Sequence, residues 1–273
     1  MLGRIGAFAV VVAALSASAW TSSARSDVAP ANVFSGAGVF VDNPDDFPGP
    51  YALADELQAD HFSWVALHVD DVQTIDWTQE LWISVMRAHG ISVGVWGAEG
   101  NDPTVSAAIA DYAIRMVGAD FYIADAEGGY ENAKGIKGYW RSGMFVKAFR
   151  ALQPTIPAAL VTLGAAIPPY VLPLDYASWR DAGFALLPEA YYNQSKWYRP
   201  DLTVQHAERA GWPASLVHPV IGVFHDYPAS RYVPLLETDG AEGFSVFLAD
   251  QATAADFAAL APLAANAYAV ASG

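Results

Sequence analysis

The chain has 273 residues, 53% of them hydrophobic and 13% aromatic, so it can bury a full core and does not have the composition of a disordered acidic segment. Its 14 Lys and Arg against 29 Asp and Glu give a formal net charge of -15, which argues against nucleic acid or an anionic membrane surface as a partner. Because there is no cysteine, a disulfide scaffold, thiol catalysis and a cysteine-ligated metal are excluded.

The N-terminus has the pattern of a secretory signal peptide. Arg4 precedes an apolar run at 5–15, and small residues at 17–19 place the expected cut after Ala19, with a second candidate near Ala24. The alternative is an N-terminal membrane anchor, which needs about 20 apolar residues. We therefore expect a signal peptide at 1–19, a linker at 20–34 (or an arm that caps a strand) and one domain at 35–273, in a secreted or periplasmic protein.

Eight short apolar runs alternate with stretches of helical periodicity from residue 36 onward. The runs are rich in Val, Phe, Leu and Ile, and they end in polar or charged residues, which is typical of buried parallel strands. We predict strands at 38–42, 64–70, 92–96, 121–127, 159–163, 185–191, 219–225 and 244–250, and helices at 78–89, 105–117, 137–152, 203–210 and 252–270.

This alternation of strands and helices predicts an α/β fold with a parallel sheet. Eight units in about 240 residues match a single-domain (β/α)8 barrel, or TIM barrel, which takes about 250 residues. The alternative is an open doubly wound sheet. Such a sheet usually begins with a glycine-rich phosphate turn, and none follows the first predicted strand.

Acidic residues follow several predicted strands at their carboxyl ends, where such a barrel carries its active site. The sharpest example is Asp125-Ala126-Glu127 on the fourth strand. Residues two apart on a strand point to the same side, so both carboxylates should face one pocket and push their pKa values apart. One of them could then stay protonated and act as the general acid that cleavage of a glycosidic bond requires. The competing interpretation is an acid pair that caps the next helix.

Other polar residues at strand ends are candidates for the same site. Glu189 ends the sixth strand and is a candidate second carboxylate. Asp42 and Asp250 should be neighbours because strands 1 and 8 meet in a closed barrel, although either could be structural. We expect His68 and Asp226 to contact substrate. No metal or cofactor is predicted, since the His-x-His pair common in metal-dependent barrel hydrolases is absent.

Aromatic residues are also dense at this predicted mouth. Sugar rings stack on aromatic faces, so an acidic, aromatic and lysine-poor cleft suits a neutral or basic carbohydrate. Any single aromatic could instead pack beneath a loop. We predict substrate binding for Trp96, Tyr191 and Tyr192, within a larger set that also contains Tyr130, Trp197, Tyr198 and Tyr227.

The acids of strands 1, 4 and 8 resemble those of the family 25 glycoside hydrolases, which are lysozyme-type muramidases with a barrel fold. The resemblance implies that Glu127 is the proton donor, that Asp125 is its partner, and that Asp42 and Asp250 flank them. It rests on Gly38-Val39-Phe40-Val41-Asp42, Tyr122-Ile123-Ala124-Asp125-Ala126-Glu127 and Asp250. The first stretch departs from the usual Gly-Ile-Asp-Val-Ser, which displaces Asp42 in register, and the late Trp-Gln-Tyr ending of that family is missing.

The fourth strand is also similar to the Asp-x-x-Asp-x-Asp-x-Glu motif of the family 18 chitinases. Residues 120–127 match it except at the second Asp, where this chain has Ile123. Residues 190–193, Ala-Tyr-Tyr-Asn, are similar to the Met-x-Tyr-Asp of the sixth strand in that family, with both ends altered.

These features favour a secreted glycoside hydrolase that acts on a cell-wall or similar polysaccharide. Glu127 would protonate the leaving oxygen, Asp125 would support it, and Glu189 or Asp250 would supply the further carboxylate. A second hypothesis is a carbohydrate-binding protein on a barrel scaffold without turnover, and a third is a metal-dependent hydrolase. We expect a monomer that, once its signal peptide is removed, is bound to neither membrane nor nucleic acid.

Overall fold

A computed structural model of the chain describes residues 33–69, 77–126, 136–162 and 174–272. It contains eight parallel strands, which are β1 (Ala37–Val41), β2 (Phe62–His68), β3 (Ser92–Ala98), β4 (Tyr122–Asp125), β5 (Ala158–Thr162), β6 (Phe184–Pro188), β7 (Val220–Gly222) and β8 (Phe244–Phe247). Each predicted strand is confirmed. Most end slightly earlier than predicted, because the polar residues that close each apolar run lie beyond the ladder.

The strands form a nearly closed barrel. Their spatial order is β6-β5-β4-β3-β2-β1-β8-β7, so β6 and β7 are the two ends of the sheet. These ends approach each other through two isolated parallel bridges, Leu186 to Val217 and Glu189 to Val220. We call this junction of β6 and β7 the seam. The predicted single-domain (β/α)8 barrel is thus confirmed.

Helices follow the strands and cover the outside of the barrel. In chain order they are α1 (Pro50–Ala59), α2 (Trp77–Ala88), α3 (Pro103–Val117), α4 (Ile136–Leu152), α5 (Tyr176–Asp181), α6 (Pro200–Arg209), α7 (Val233–Leu236) and α8 (Ala254–Ser272). The five helices for which the sequence analysis gives bounds are α2, α3, α4, α6 and α8; of the other three, α5 and α7 are too short to show a 3.6-residue period. Within the described ranges, no helix has the length and apolar character needed to cross a membrane.

The core has two layers. One lies between the sheet and the helices, and the other fills the barrel interior with the rings of Phe40, Trp64, Trp96 and Phe121 among others. Glycines on the strands make room for these rings: a Cβ atom at Gly38 would lie 1.9 Å from the ring of Trp64.

Phe34 closes the amino-terminal end of the barrel interior. It belongs to a 3-10 turn at Val33–Ser35 and is 1% exposed. Its ring meets Trp64 edge-on at 5.8 Å between centroids and Phe121 at 5.2 Å. Val33 and Phe34 belong to the segment that the sequence suggests as a linker or a capping arm, and in the structure they pack at this end of the barrel.

Candidate active site

Asp125 lies at the carboxyl end of β4, at the mouth of the barrel. Phe121 and Ile123 belong to the interior apolar cluster, and alternation along the strand places Asp125 on the same face. Its side chain is half-buried. Glu127, the predicted proton donor, and Tyr130 lie outside the described residues.

Glu189 follows β6 on the same wall of the barrel. Asp125 and Leu187 both pair with Val161 of β5, so Glu189 lies two residues nearer the mouth than the level of Asp125. The strands β4 and β6 are two strand spacings apart, or about 10 Å. Glu189 is buried, and the Tyr191 hydroxyl donates a hydrogen bond to its Oε1 at 3.2 Å. Tyr191 is itself buried in the interior cluster. The structure therefore brings Asp125, Glu189 and Tyr191 to one side of the mouth.

Asp42, His68 and Trp96 form a second group, at the ends of β1, β2 and β3. His68 Nδ1 lies 2.6 Å from Oδ1 of Asp42, and the imidazole stacks on Trp96 with 4.0 Å between ring centroids and 13° between planes. The Trp96 indole N–H donates to the carbonyl of Val41 at 3.2 Å. Because Trp96 is 5% exposed beneath His68, the imidazole is the group that this side presents to the mouth.

Asp250 extends this group from the turn after β8. It is half-buried, and burial raises its pKa, with the carboxylates of Asp46 and Asp42 raising it further. The proximity of Asp42 and Asp250 follows from the closure of the barrel between β1 and β8. Negative charge is thus concentrated on this side of the mouth, where it disfavours an anionic substrate.

Two predicted binding residues lie apart from the barrel interior. Tyr192 packs on the layer between sheet and helices, with its ring 6.4 Å from that of Tyr227. Asp226 is exposed in the loop after β7, where it and His225 adopt left-handed backbone angles, with φ of 57° and 59°. Successive non-glycine residues in this region are strained, and such strain is frequent at binding loops.

Sequence reasoning misses the environment of Glu99, which follows β3 and faces away from the barrel interior. It is 5% exposed and lines a cavity of about 170 Å³ between β3 and α3. Its Oε1 accepts a hydrogen bond from the Tyr122 hydroxyl at 3.0 Å, and its amide donates to the carbonyl of Asp125 at 2.8 Å. Burial raises the pKa of Glu99 well above its usual range, and Asp125 raises it further. The alternation of residues along a strand could have revealed this, since Glu99 and Trp96 are three apart.

No metal centre accompanies the candidate site in the described residues. No group of three or more His, Asp and Glu side chains there has a geometry that could hold a metal ion.

Comparison with known proteins establishes the fold. No family model and no curated protein matches the sequence. Among solved structures, the chain is similar to a GH18 chitinase from Pseudoalteromonas aurantia (12% identity, TM-score 0.63, covering 84% of this chain and 99% of that one). It is also similar to a GH18 chitinase from Cycas revoluta in complex with (GlcNAc)3 (10% identity, TM-score 0.61, covering 85% and 99%). A third match is the catalytic domain of a chitinase from Pyrococcus furiosus (9% identity, TM-score 0.57, covering 88% and 96%).

These neighbours share the barrel architecture with this chain over nearly their whole length. All three are chitinases, two of them described as GH18, and none is described as a family 25 glycoside hydrolase.

Proposed function

We propose that this chain is a secreted glycoside hydrolase that cleaves O-glycosidic bonds in a polysaccharide containing N-acetylglucosamine. The observation that carries the proposal is Asp125, which lies at the end of β4 on the face shared by Phe121 and Ile123. Active sites of (β/α)8 barrels lie at this end. The sugar class is supported by the GH18 neighbours, one of which is in complex with (GlcNAc)3.

In this mechanism Glu127, two residues beyond Asp125, gives its proton to the leaving glycosidic oxygen. Asp125 stabilises the positive charge that develops on the sugar, or polarises an acetamido group of the substrate. Glu189, held by the Tyr191 hydroxyl, provides a further carboxylate on the same wall. His68, supported by Asp42 and stacked on Trp96, offers a flat surface to a sugar ring on the opposite wall.

The first prediction concerns Glu127. Glu127→Gln removes the proposed proton and keeps the side-chain shape, so we expect turnover to fall by about 10² to 10⁴. The measurement is the release of reducing ends from chitin, chito-oligosaccharides and peptidoglycan. The matched control is Glu208→Gln, the same change at an exposed residue of α6. Full activity of Glu127→Gln on a substrate that the wild type cleaves would falsify the assignment.

A second candidate function is carbohydrate binding without turnover. It is favoured by Ile123, a fully buried interior residue that stands where the family 18 motif has its second Asp. Binding to insoluble chitin or peptidoglycan, with no reducing ends released by the wild type over prolonged incubation, would select this function over hydrolysis.

A further inference from the structure

A second pocket lies at the amino-terminal end of the barrel, opposite the candidate active site. It has a volume of about 350 Å³, which is within the range of small-ligand sites. The segment between α7 and β8 forms one side, and the stretch of α8 from Leu263 to Ala267 forms the other. Its apolar walls include Leu236, Phe244 and Leu263.

The polar part of this pocket is strongly acidic. Glu237, Asp239 and Glu242 line it together with Asn266, and none of the described residues that line it is Lys or Arg. The Ser35 hydroxyl donates a hydrogen bond to Oε2 of Glu242 at 3.3 Å, so Glu242 meets a neutral group there.

Asp239 is the distinctive member of this set. It is only 8% exposed, and one of its oxygens accepts a hydrogen bond from the amide of Ala241 at 2.8 Å. Its other oxygen, Oδ2, is buried and has no hydrogen-bond partner among the described residues. Burial, with a smaller contribution from the carboxylate of Asp201, raises the pKa of Asp239 to about 7. A buried carboxyl group that lacks a cationic or hydrogen-bonding partner lowers the stability of the fold unless a bound ligand supplies that partner.

We propose that this pocket binds a primary ammonium group carried on a short apolar stem. An ammonium is a compact donor that suits the unpartnered Oδ2 of Asp239, and Glu237 and Glu242 add negative charge to the walls of the same pocket. The stem would pack on Leu236, Phe244 and Leu263. A metal ion fits less well, because the described residues hold no cluster of three metal-ligating side chains. A neutral ligand would leave the acids uncompensated.

The binding should depend on pH through Asp239. An ammonium prefers the ionised carboxylate, so affinity should increase as pH rises from about 5 to about 8, while a primary amine stays charged throughout. The charged groups that face Asp239 are Glu237 and Glu242 in the pocket and Asp201 on α6, which is itself paired with Arg199 at 2.7 Å.

Calorimetry on the full chain tests the proposal, with n-butylammonium chloride as probe and butan-1-ol as its neutral counterpart at equal ionic strength. We expect saturable binding of butylammonium and at least about tenfold weaker binding of the alcohol. Nα-acetyl-lysine amide is the second probe. Tighter binding of this probe would point to a protein lysine as the source of the ammonium, and tighter binding of butylammonium to a free amine; either supports the site.

Asp239→Asn should weaken binding by about tenfold or more. If that variant fails to fold, Glu242→Gln should weaken it several-fold, whereas exposed Glu208→Gln should leave it unchanged. Equal affinity for the alcohol, an unchanged affinity in both pocket variants, or no dependence on pH would each overturn the proposal. Because the pocket lies at the far end of the barrel, its failure would leave the proposed hydrolase untouched.

Discussion

At the scale of single residues, two buried titratable groups have opposite consequences for stability. Burial raises the pKa of Glu99, which lies outside the barrel wall, and lowers the pKa of His218, which lies just before β7. Burial disfavours the charged form of each, so an acid and a base shift in opposite directions. The pH dependence of folding should therefore reveal them separately.

Glu99 should destabilise the fold as pH rises. Because its pKa is raised in the folded state, folding takes up a proton between the ordinary value of 4.5 and the raised pKa, and stability falls as pH increases through that window. Glu99→Gln is neutral at every pH. We therefore expect its Tm, followed by circular dichroism, to rise relative to that of the wild type as pH increases from 4.5.

The control for Glu99→Gln is Glu80→Gln, at an exposed position of α2, which should show no such trend. A difference in Tm between Glu99→Gln and wild type that stays constant with pH would mean that Glu99 is ionised in the folded chain.

His218 should destabilise the fold as pH falls. Burial lowers its pKa to about 3, so the stability that neutral His218 provides is complete above 6.5 and is lost as pH drops toward 3, by up to about 5 kcal/mol. His218→Gln should flatten this acid limb in urea titrations at a series of pH values. His61→Asn, at an exposed residue, should not. An acid limb of unchanged slope in His218→Gln would contradict the prediction.

At the scale of elements, strand glycines and helix glycines should respond oppositely to alanine. A Cβ atom at Gly94 of β3 would lie 2.1 Å from the ring of Phe121, so Gly94→Ala should cost about 1 to 3 kcal/mol through overpacking. At Gly143, within α4, the nearest atoms are 3.8 Å away, so Gly143→Ala should be neutral or stabilising by up to about 1 kcal/mol. Urea unfolding compares the two, and a Gly94→Ala variant as stable as wild type would contradict this packing.

The elements also show why the sequence predicts the fold better than the site. Continuous apolar runs predict every strand because both faces of a parallel barrel strand are buried. Because both faces are apolar, the sequence pattern does not indicate whether a polar residue after the strand points into the barrel or toward the helices. Asp125 continues the interior alternation, whereas Glu99 and Tyr192, both in loops after strands, lie on the outer layer. The burial of Asp239 depends on packing between residues far apart in the chain, so the sequence around it does not indicate that burial.

At the scale of the whole molecule, the seam should be the weakest part of the barrel. In the described parts of the chain, two isolated bridges join the ends of the sheet at β6 and β7, whereas β1 and β2 share a ladder of five residue pairs. Local opening follows the number of interactions that must break. We expect the amides of Ala190 and His218, which donate across the seam, to exchange faster than those of β2 in hydrogen exchange by NMR. Equal protection would indicate a uniformly closed barrel.

Through Phe34, the position of an N-terminal cut would bear on the integrity of the barrel. The ring of Phe34 packs against Trp64 and Phe121 in the barrel interior, although the residue lies before the first strand. A cut that removed Phe34 would expose the rings of Trp64 and Phe121 to solvent at this end of the barrel interior. Both expected cut sites, after Ala19 and near Ala24, lie upstream of Phe34 and would keep it. Recombinant versions of the protein should therefore also start upstream of Phe34.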